Sequence, residues 1–332
     1  MNSLRPEMIS SSSLGEASRR YLAIARPDHW IKNIFMIPGI AVALVVAPVT
    51  PADLVVPLLI GTISLCLAAS ANYTINEYLD AAYDRFHPHK SSRPGALGLL
   101  DARLVAAQYL ALILASIGLA AIVNAPFALS IVWLLVMGVV YNVPPIRTKD
   151  KAYLDTLSES INNPIRFLCG WFIVAPEFFP PSSVLLAYWM GGAFLMGVKR
   201  YSEYRGIRDH KRAALYRRSF AHYTEQSLLL SLFFYALCSA FFIGIFLIKY
   251  RVEFLLTTPL FAALFTLYLA IGMRKNSASQ APEKLYRETP LIGLAAVTFV
   301  ASIVLFFVNI PFLHGFMEPS LIHLKLGLYR WM

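Results

Sequence analysis

Apolar runs of near-constant length, separated by short polar connections, dominate the chain: they cover residues 34–49, 54–72, 104–123, 126–142, 160–178, 183–198, 228–248, 254–272 and 290–312. A helix rising 1.5 Å per residue needs roughly 20 residues to cross ~30 Å of hydrocarbon, so the pattern predicts nine spanning helices. The first and fourth runs are short and need flanking residues as anchors, a part suited to Trp30 and Lys32 at the headgroup level. Pro126, Pro144, Pro145, Pro180 and Pro181 fall at run ends, where a missing N–H costs little. Pro164 lies inside the fifth run and is expected to kink it. The fold class expected is all-α, a polytopic membrane bundle of about nine transmembrane helices.

The second run does not end in an ordinary turn. Read onward as a helix, it places Asn72, Asn76, Asp80 and Asp84 four residues apart on nearly one face, with Glu77 one step away. This polar stripe closes in His87-Pro88-His89-Lys90 and Arg93-Pro94, where proline stops the helix and cations gather. Hard oxygen ligands beside Lys and Arg suit a Mg²⁺ ion that keeps phosphate oxygens as its remaining ligands. A solvated helix end is the plain alternative, and it needs fewer acidic and amide groups than stand here.

Composition and charge sharpen this picture. With 58% hydrophobic and 14% charged residues among 332, the chain is too apolar for a soluble domain. Its 29 Lys and Arg against 19 Asp and Glu could answer nucleic acid, anionic lipid or anionic substrate. Their placement decides: 24 fall in the N-terminal 33 residues and alternate connections (73–103, 143–159, 199–227, 273–289), against only Lys249 and Arg251 in the opposing ones. Positive connections stay inside, so the N-terminus and these loops are expected in the cytoplasm, with the chain multi-pass in the cell membrane. The charges thus read as a membrane protein's cytoplasmic face, and no nucleic-acid partner is expected. Cys66, Cys169 and Cys238 sit in apolar runs and read as reduced, buried thiols. Residues 1–20 are expected to form a disordered cytoplasmic lead, 21–313 a single transmembrane catalytic domain, and 314–332 an amphipathic tail along the far interface.

Two further stretches carry candidate chemistry. The loop after the sixth run, Lys199 to Thr224, holds eight cations, among them Lys199, Arg200, Arg217 and Arg218, facing only Glu203 and Asp209. Anionic-lipid contact explains most basic loops, but a mixed cluster of Lys199, Arg200 and Glu203 at a helix end costs desolvation unless it holds something. The other stretch is Tyr141-Asn-Val-Pro-Pro-Ile-Arg147-Thr-Lys149, which leads toward Arg166. Arg166 is the cation within a run, so it is expected to face a bundle interior or wet cavity. Asn162 and Asn163 could line the same cavity or cap the helix; Tyr141, Lys149 and Asp155 could be rim contacts or plain anchors.

The series Asn76-Glu77-x-x-Asp80-x-x-x-Asp84, set among nine runs, resembles the signature of the UbiA superfamily of intramembrane prenyltransferases. Arg26-Pro-x-x-Trp30-x-Lys32-Asn33, His87-Pro-x-Lys90-x-x-Arg93-Pro94, the Tyr141 stretch and Lys199-Arg200-x-x-Glu203 resemble its decaprenyl-phosphate phosphoribosyltransferase branch. The resemblance implies a UbiA-like bundle that moves phosphoribose from phosphoribosyl pyrophosphate to a polyprenyl phosphate with Mg²⁺. It departs at Glu77, where aspartate is usual. It departs again after the sixth run, where the aromatic prenyltransferases carry a second acidic motif and this chain is basic.

Together these readings assign Asn76, Glu77, Asp80 and Asp84 to the metal, and Asp80, Asp84 and Glu203 to catalysis, with Glu203 stabilising positive charge on the ribose. Lys32, Asn33, Asn72, Lys90, Arg93, Tyr141, Arg147, Arg166, Lys199, Arg200, Arg217 and Arg218 are expected to bind substrate. The acceptor phosphate is already an anion, so no catalytic histidine is expected. An aromatic prenyltransferase with a prenyl diphosphate donor, and a transporter of anionic metabolites, are the alternatives. A homo-oligomer is left open.

Overall fold

The computed structural model describes residues 14–317 except 48, 87–89, 208, 276 and 281. Residues 318–332, the first thirteen residues and the stretch His87-Pro88-His89 lie outside the described residues.

Thirteen α-helices, and no strand, form the described residues: α1 (Leu14–Ala25), α2 (Ile37–Val46), α3 (Pro51–Asp84), α4 (Ala102–Val123), α5 (Ala125–Asn142), α6 (Leu154–Ser160), α7 (Asn162–Val174), α8 (Ser182–Ile207), α9 (His210–Tyr216), α10 (Glu225–Tyr250), α11 (Thr258–Gly272), α12 (Thr289–Phe307) and α13 (Pro311–Met317). Each of the nine apolar runs carries a helix. Six stretches (52–84, 102–123, 125–142, 225–250, 252–272 and 289–307) are long and apolar enough to cross a membrane. The other three runs depart for identifiable reasons: α2 has ten residues after a 3-10 segment Pro27–Met36, α7 has thirteen, and α8 ends in a strongly polar turn.

Two expectations are corrected, on the lead and on Pro164, and the reading of the second run onward as a helix is met. The stretch expected as a disordered lead is helical from Leu14, where a Glu16–Arg20 pair at 3.9 Å lines one face and Ile24 is buried. The second run and the polar stripe are one continuous helix of 34 residues. At about 1.5 Å per residue it exceeds the hydrocarbon thickness, which carries Asp80 and Asp84 to the membrane edge. Pro164 does not kink a helix interior: the break falls at Ile161, between α6 and α7, and Pro164 occupies the first turn of α7, where no intrahelical N–H is needed.

α7 is the centre of the first core. Residues 163–174 are buried, with Ile165, Phe167 and Trp171 packed among Phe127, Ile131 and Leu134 of α5. A Cβ on Gly39 would come within 2.0 Å of the Phe167 carbonyl, and one on Gly170 within 2.1 Å of the Met36 carbonyl. Backbones therefore meet directly, the packing that small residues permit where lipid supplies no hydrophobic drive between helices. Polar side chains add to it: Ser64 and Ser116 donate to each other's carbonyls at 2.8 and 2.9 Å across α3 and α4. A second core joins α8, α10 and α11 through Phe194, Leu232, Tyr235 and Tyr268, and takes in Tyr216, Phe220 and Tyr223 of the basic loop. That inclusion makes the loop part of the folded body rather than a mobile connector.

Candidate active site

The C-terminal end of α3, the turn after α5 and the loop after α8 meet in an open cleft. Asp80 and Asp84 line it from α3, Arg147, Lys149 and Asp150 from the turn, Tyr216, Arg217 and Arg218 from the loop, and Lys90 from the segment after α3. The turn is held in an unusual backbone: Arg147 has φ 28° and Tyr153 φ 65°, either side of the 3-10 segment Thr148–Asp150. Positive φ at non-glycine residues is costly and persists only where surrounding contacts impose it. Here Arg147 donates to the Asn142 carbonyl at 2.8 Å, to Asp150 at 3.1 Å and to Asp80 at 2.9 Å.

Each acidic group of the stripe meets a different neighbour. Asp80 accepts from Arg147 and pairs with Lys149; Asp84, buried, accepts from Arg93 at 2.7 Å. Asn76 stands 3.5 Å from Lys149. Burial pushes the Lys149 ammonium down to about 8 against the pull of Asp80. Lys90 donates to the Tyr216 hydroxyl and stands 4.7 Å from that ring's centre, and Arg147 and Arg218 flank the Tyr83 ring at 5.2 and 5.4 Å.

Several expected site residues stand elsewhere. Glu77 does not line the cleft: it is buried beside the backbone of Gly95, and its Oε1 has no hydrogen-bond partner. Asn72 points into helix packing, donating to the Leu134 carbonyl of α5 at 3.0 Å. Arg200, Tyr141 and Glu203 form a hub behind the cleft. Arg200 is 1% exposed and reaches Asp155 at 3.3 Å, Glu203 at 3.4 Å, the Tyr141 hydroxyl at 3.2 Å, and Glu159. Burial opposes the charge on Glu159, but Arg200, Lys199 and Arg217 hold its carboxyl below the usual range. Thus Glu203, expected to face the ribose, is turned to Arg200. Arg166 donates to Asn33 Oδ1 at 3.1 Å and Lys32 stands 5.6 Å from the centre of the Tyr73 ring, and neither these residues nor Lys199 line the cleft.

Sequence reasoning left Asp155 open between a rim contact and a plain anchor, and the structure makes it an anchor of this site. Asp155, fully buried, accepts from Tyr223 at 2.7 Å and Ser219 at 3.0 Å and lies 3.6 Å from Arg217, so it fixes Arg217 at the cleft wall. Asp150 and Tyr216 were missed, for nothing in their spacing marks them. Lys149 had a signal, its place in the Tyr141 stretch. Asp209, the carboxylate of the basic loop, caps α9 by accepting from Lys211 and Arg212 N–H groups at 2.9 and 3.3 Å.

Among the described residues, no three His, Cys, Asp or Glu side chains converge on a ready-made metal site. Two carboxylates one helical turn apart with an amide oxygen a turn earlier are nonetheless hard donors only, the set that fits Mg²⁺ sharing its shell with phosphate.

Known proteins resemble this chain at three levels. Over 204 residues it is 29% identical to a decaprenyl-phosphate phosphoribosyltransferase of Corynebacterium glutamicum, covering 60% of this chain and 58% of that protein. It is 28% identical over 204 residues to the nodulation protein NoeC of Azorhizobium caulinodans, covering 60% of this chain and 62% of that protein. The matches therefore span about three-fifths of the length of these relatives. A UbiA homolog from Archaeoglobus fulgidus, solved with GPP and Mg²⁺, superposes with a TM-score of 0.66 at 22% identity over 87% of this chain and all of that one, which shows the fold. The sequence profile of the UbiA prenyltransferase family matches residues 35–289, well over half of the chain. With its polytopic helical fold and its Asp80–Asp84 cleft at the end of α3, the chain belongs to the UbiA prenyltransferase family.

Proposed function

We propose that this protein transfers 5-phosphoribose from phosphoribosyl pyrophosphate to a polyprenyl phosphate, in a Mg²⁺-dependent reaction that releases diphosphate. One observation carries the reading: the cleft sets two carboxylates of α3 against cations from three separate segments, Lys90, Arg147 with Lys149, and Arg217 with Arg218. A donor with a diphosphate and a 5-phosphate needs this excess of cations over carboxylates. A prenyl diphosphate donor held by two metals needs a second acidic motif after α8, where Asp209 is spent on a helix cap. The phosphoribosyltransferase relative supports the same choice.

Asp80 and Asp84, with Asn76, are the residues that would hold Mg²⁺, and Glu77 would support the helix from beneath Gly95. Bound there, the ion would neutralise charge on the leaving diphosphate. Arg147, Lys149 and Arg93, which pair with those carboxylates, are placed to turn to donor phosphate oxygens. Arg217, fixed by Asp155, and Arg218 close the opposite wall. In the reaction the bond from ribose C1 to diphosphate oxygen breaks with its electron pair leaving on diphosphate, and a bond forms from C1 to an acceptor phosphate oxygen. The acceptor oxygen is already ionised, so no side chain need take a proton. The chain crosses the cell membrane nine times in this reading, with its N-terminus and the cleft cytoplasmic, a placement that the distribution of Lys and Arg supports.

The test incubates purified protein with Mg²⁺, labelled phosphoribosyl pyrophosphate and polyprenyl phosphates of several lengths. Label should enter the lipid phase and be lost with a chelator. Transfer from labelled geranyl diphosphate instead would replace this reading with a prenyltransferase acting on another acceptor.

A further inference from the structure

Among the described residues, five cations line the cleft, and each stands over an aromatic ring. Measured to the ring centre, Lys90 lies 4.7 Å from Tyr216, Lys149 5.5 Å from Tyr141 and Arg217 5.8 Å from Phe220, while Arg147 and Arg218 lie 5.2 and 5.4 Å from Tyr83. Of these four rings, Tyr83 serves two cations, and they come from different parts of the chain, the turn after α5 and the loop after α8. The same two arginines also share a carboxylate oxygen: Asp150 Oδ2 stands 3.1 Å from Arg147 Nε and 3.7 Å from Arg218 Nη1. One ring and one oxygen thus hold two like charges together.

The two arginines differ in how firmly they are held. Arg147 is buried and donates to Asp80 at 2.9 Å and to the Asn142 carbonyl at 2.8 Å besides. The Arg218 side chain is 64% exposed, and Tyr83 and Asp150 are what tie it to the cleft. A long side chain that must be ordered when a ligand arrives costs about two- to tenfold in affinity. Tyr83 can prevent that loss, because it is half-buried in the last turn of α3, beside Asp84, and an aromatic side chain has few rotatable bonds of its own to fix. A ring also differs from a carboxylate as a partner: it holds a guanidinium without neutralising its charge and leaves its N–H groups available to phosphate oxygens.

We propose that Tyr83 is a positioning residue: its ring holds Arg218 beside Arg147, so that guanidinium groups from two separate segments meet a diphosphate as one preformed clamp. That this diphosphate belongs to a sugar donor rests on the function proposed above; the clamp itself asks only for a diphosphate. A single phosphate can be gripped by one guanidinium fork, whereas a diphosphate offers a phosphate to each. The clamp therefore favours pyrophosphate over inorganic phosphate. The role falls to the ring and needs no hydroxyl.

The test measures binding by calorimetry, not turnover, on the full-length protein in nanodiscs, with Mg²⁺-pyrophosphate and inorganic phosphate as probes. Tyr83→Leu should raise the Kd of Mg²⁺-pyrophosphate about fivefold, the scale of one side chain set loose, and that of inorganic phosphate by less than about twofold. Tyr83→Phe keeps the ring and should stay within about twofold of wild type for both probes. In an Arg218→Gln background, Tyr83→Leu should cost less than about twofold, because the arginine that the ring holds is already gone. A role in folding alone predicts that Tyr83→Leu weakens both probes alike, with or without Arg218, and that result overturns the clamp. So do unchanged pyrophosphate affinity in Tyr83→Leu, and a wild-type protein that binds pyrophosphate no more tightly than phosphate. Tyr83→Phe as weak as Tyr83→Leu overturns it by handing the role to the hydroxyl. Transfer of a prenyl group in place of phosphoribose overturns the proposed function and leaves the clamp standing, since both donors carry a diphosphate.

Discussion

Replacing Arg200 separates a structural cation from a substrate-binding one. Its side chain is 1% exposed and holds Asp155, Glu159 and Glu203 while donating to Tyr141. Arg200→Gln leaves Asp155, fully buried, with Arg217 at 3.6 Å, and leaves Glu159 and Glu203 to Lys199 and Arg217. Removing one partner of a buried ion pair costs ~3–5 kcal/mol, because the charge left behind is unpaired. At about 1.4 kcal/mol per factor of ten, the folded population should fall by at least a hundredfold relative to the unfolded one. The assay is unfolding of the purified variant in mixed micelles titrated with a denaturing detergent, followed by circular dichroism. Arg200→Lys should fall between, since an ammonium keeps the charge but not the fork that reaches three carboxylates. In the folded fraction, affinity for Mg²⁺-pyrophosphate should change far less than stability does. Wild-type stability in Arg200→Gln together with lost pyrophosphate binding would refute the reasoning and return Arg200 to the substrate.

Asp80→Asn and Asp84→Asn should abolish transfer while folded protein is retained, a loss of several kcal/mol of leaving-group stabilisation read as more than a thousandfold in rate; Mg²⁺-dependent turnover in both variants would contradict the assigned ligands. Gly138→Ala places a Cβ 1.9 Å from Asn72 Oδ1 and should cost ~1–3 kcal/mol by the same unfolding assay. Adding Asn72→Ala should recover part of that loss, and strict additivity would argue against the contact. Single cysteines at the exposed positions Ser91 and Lys211, in a background lacking Cys66, Cys169 and Cys238, should be modified by an impermeant thiol reagent only when the cytoplasmic side is opened. Labelling of both in intact cells would reverse the proposed orientation and part the cleft from a cytosolic donor.

The run lengths, the four-residue spacing from Asn72 to Asp84 and the one-sided Lys and Arg content were legible without coordinates, because each follows from a local rule of helix periodicity, hydrocarbon thickness or charge placement. From them came the helical membrane fold, the α3 stripe, and Asp80 and Asp84 as the acidic pair of the cleft. Which cations serve that cleft was not legible. Lys149 and Arg200 are both basic residues beside polar neighbours in the sequence, yet one reaches Asp80 and the other is enclosed by Asp155, Glu159 and Glu203. Glu77 and Asp80, three residues apart on one helix, likewise part: Glu77 lies beneath Gly95 and Asp80 faces the cleft. Only the packing of α5, α6 and the loop after α8 decides such matters, since a charge is neutralised by whichever partner the fold brings within about 4 Å, and that partner stands here up to 69 residues away.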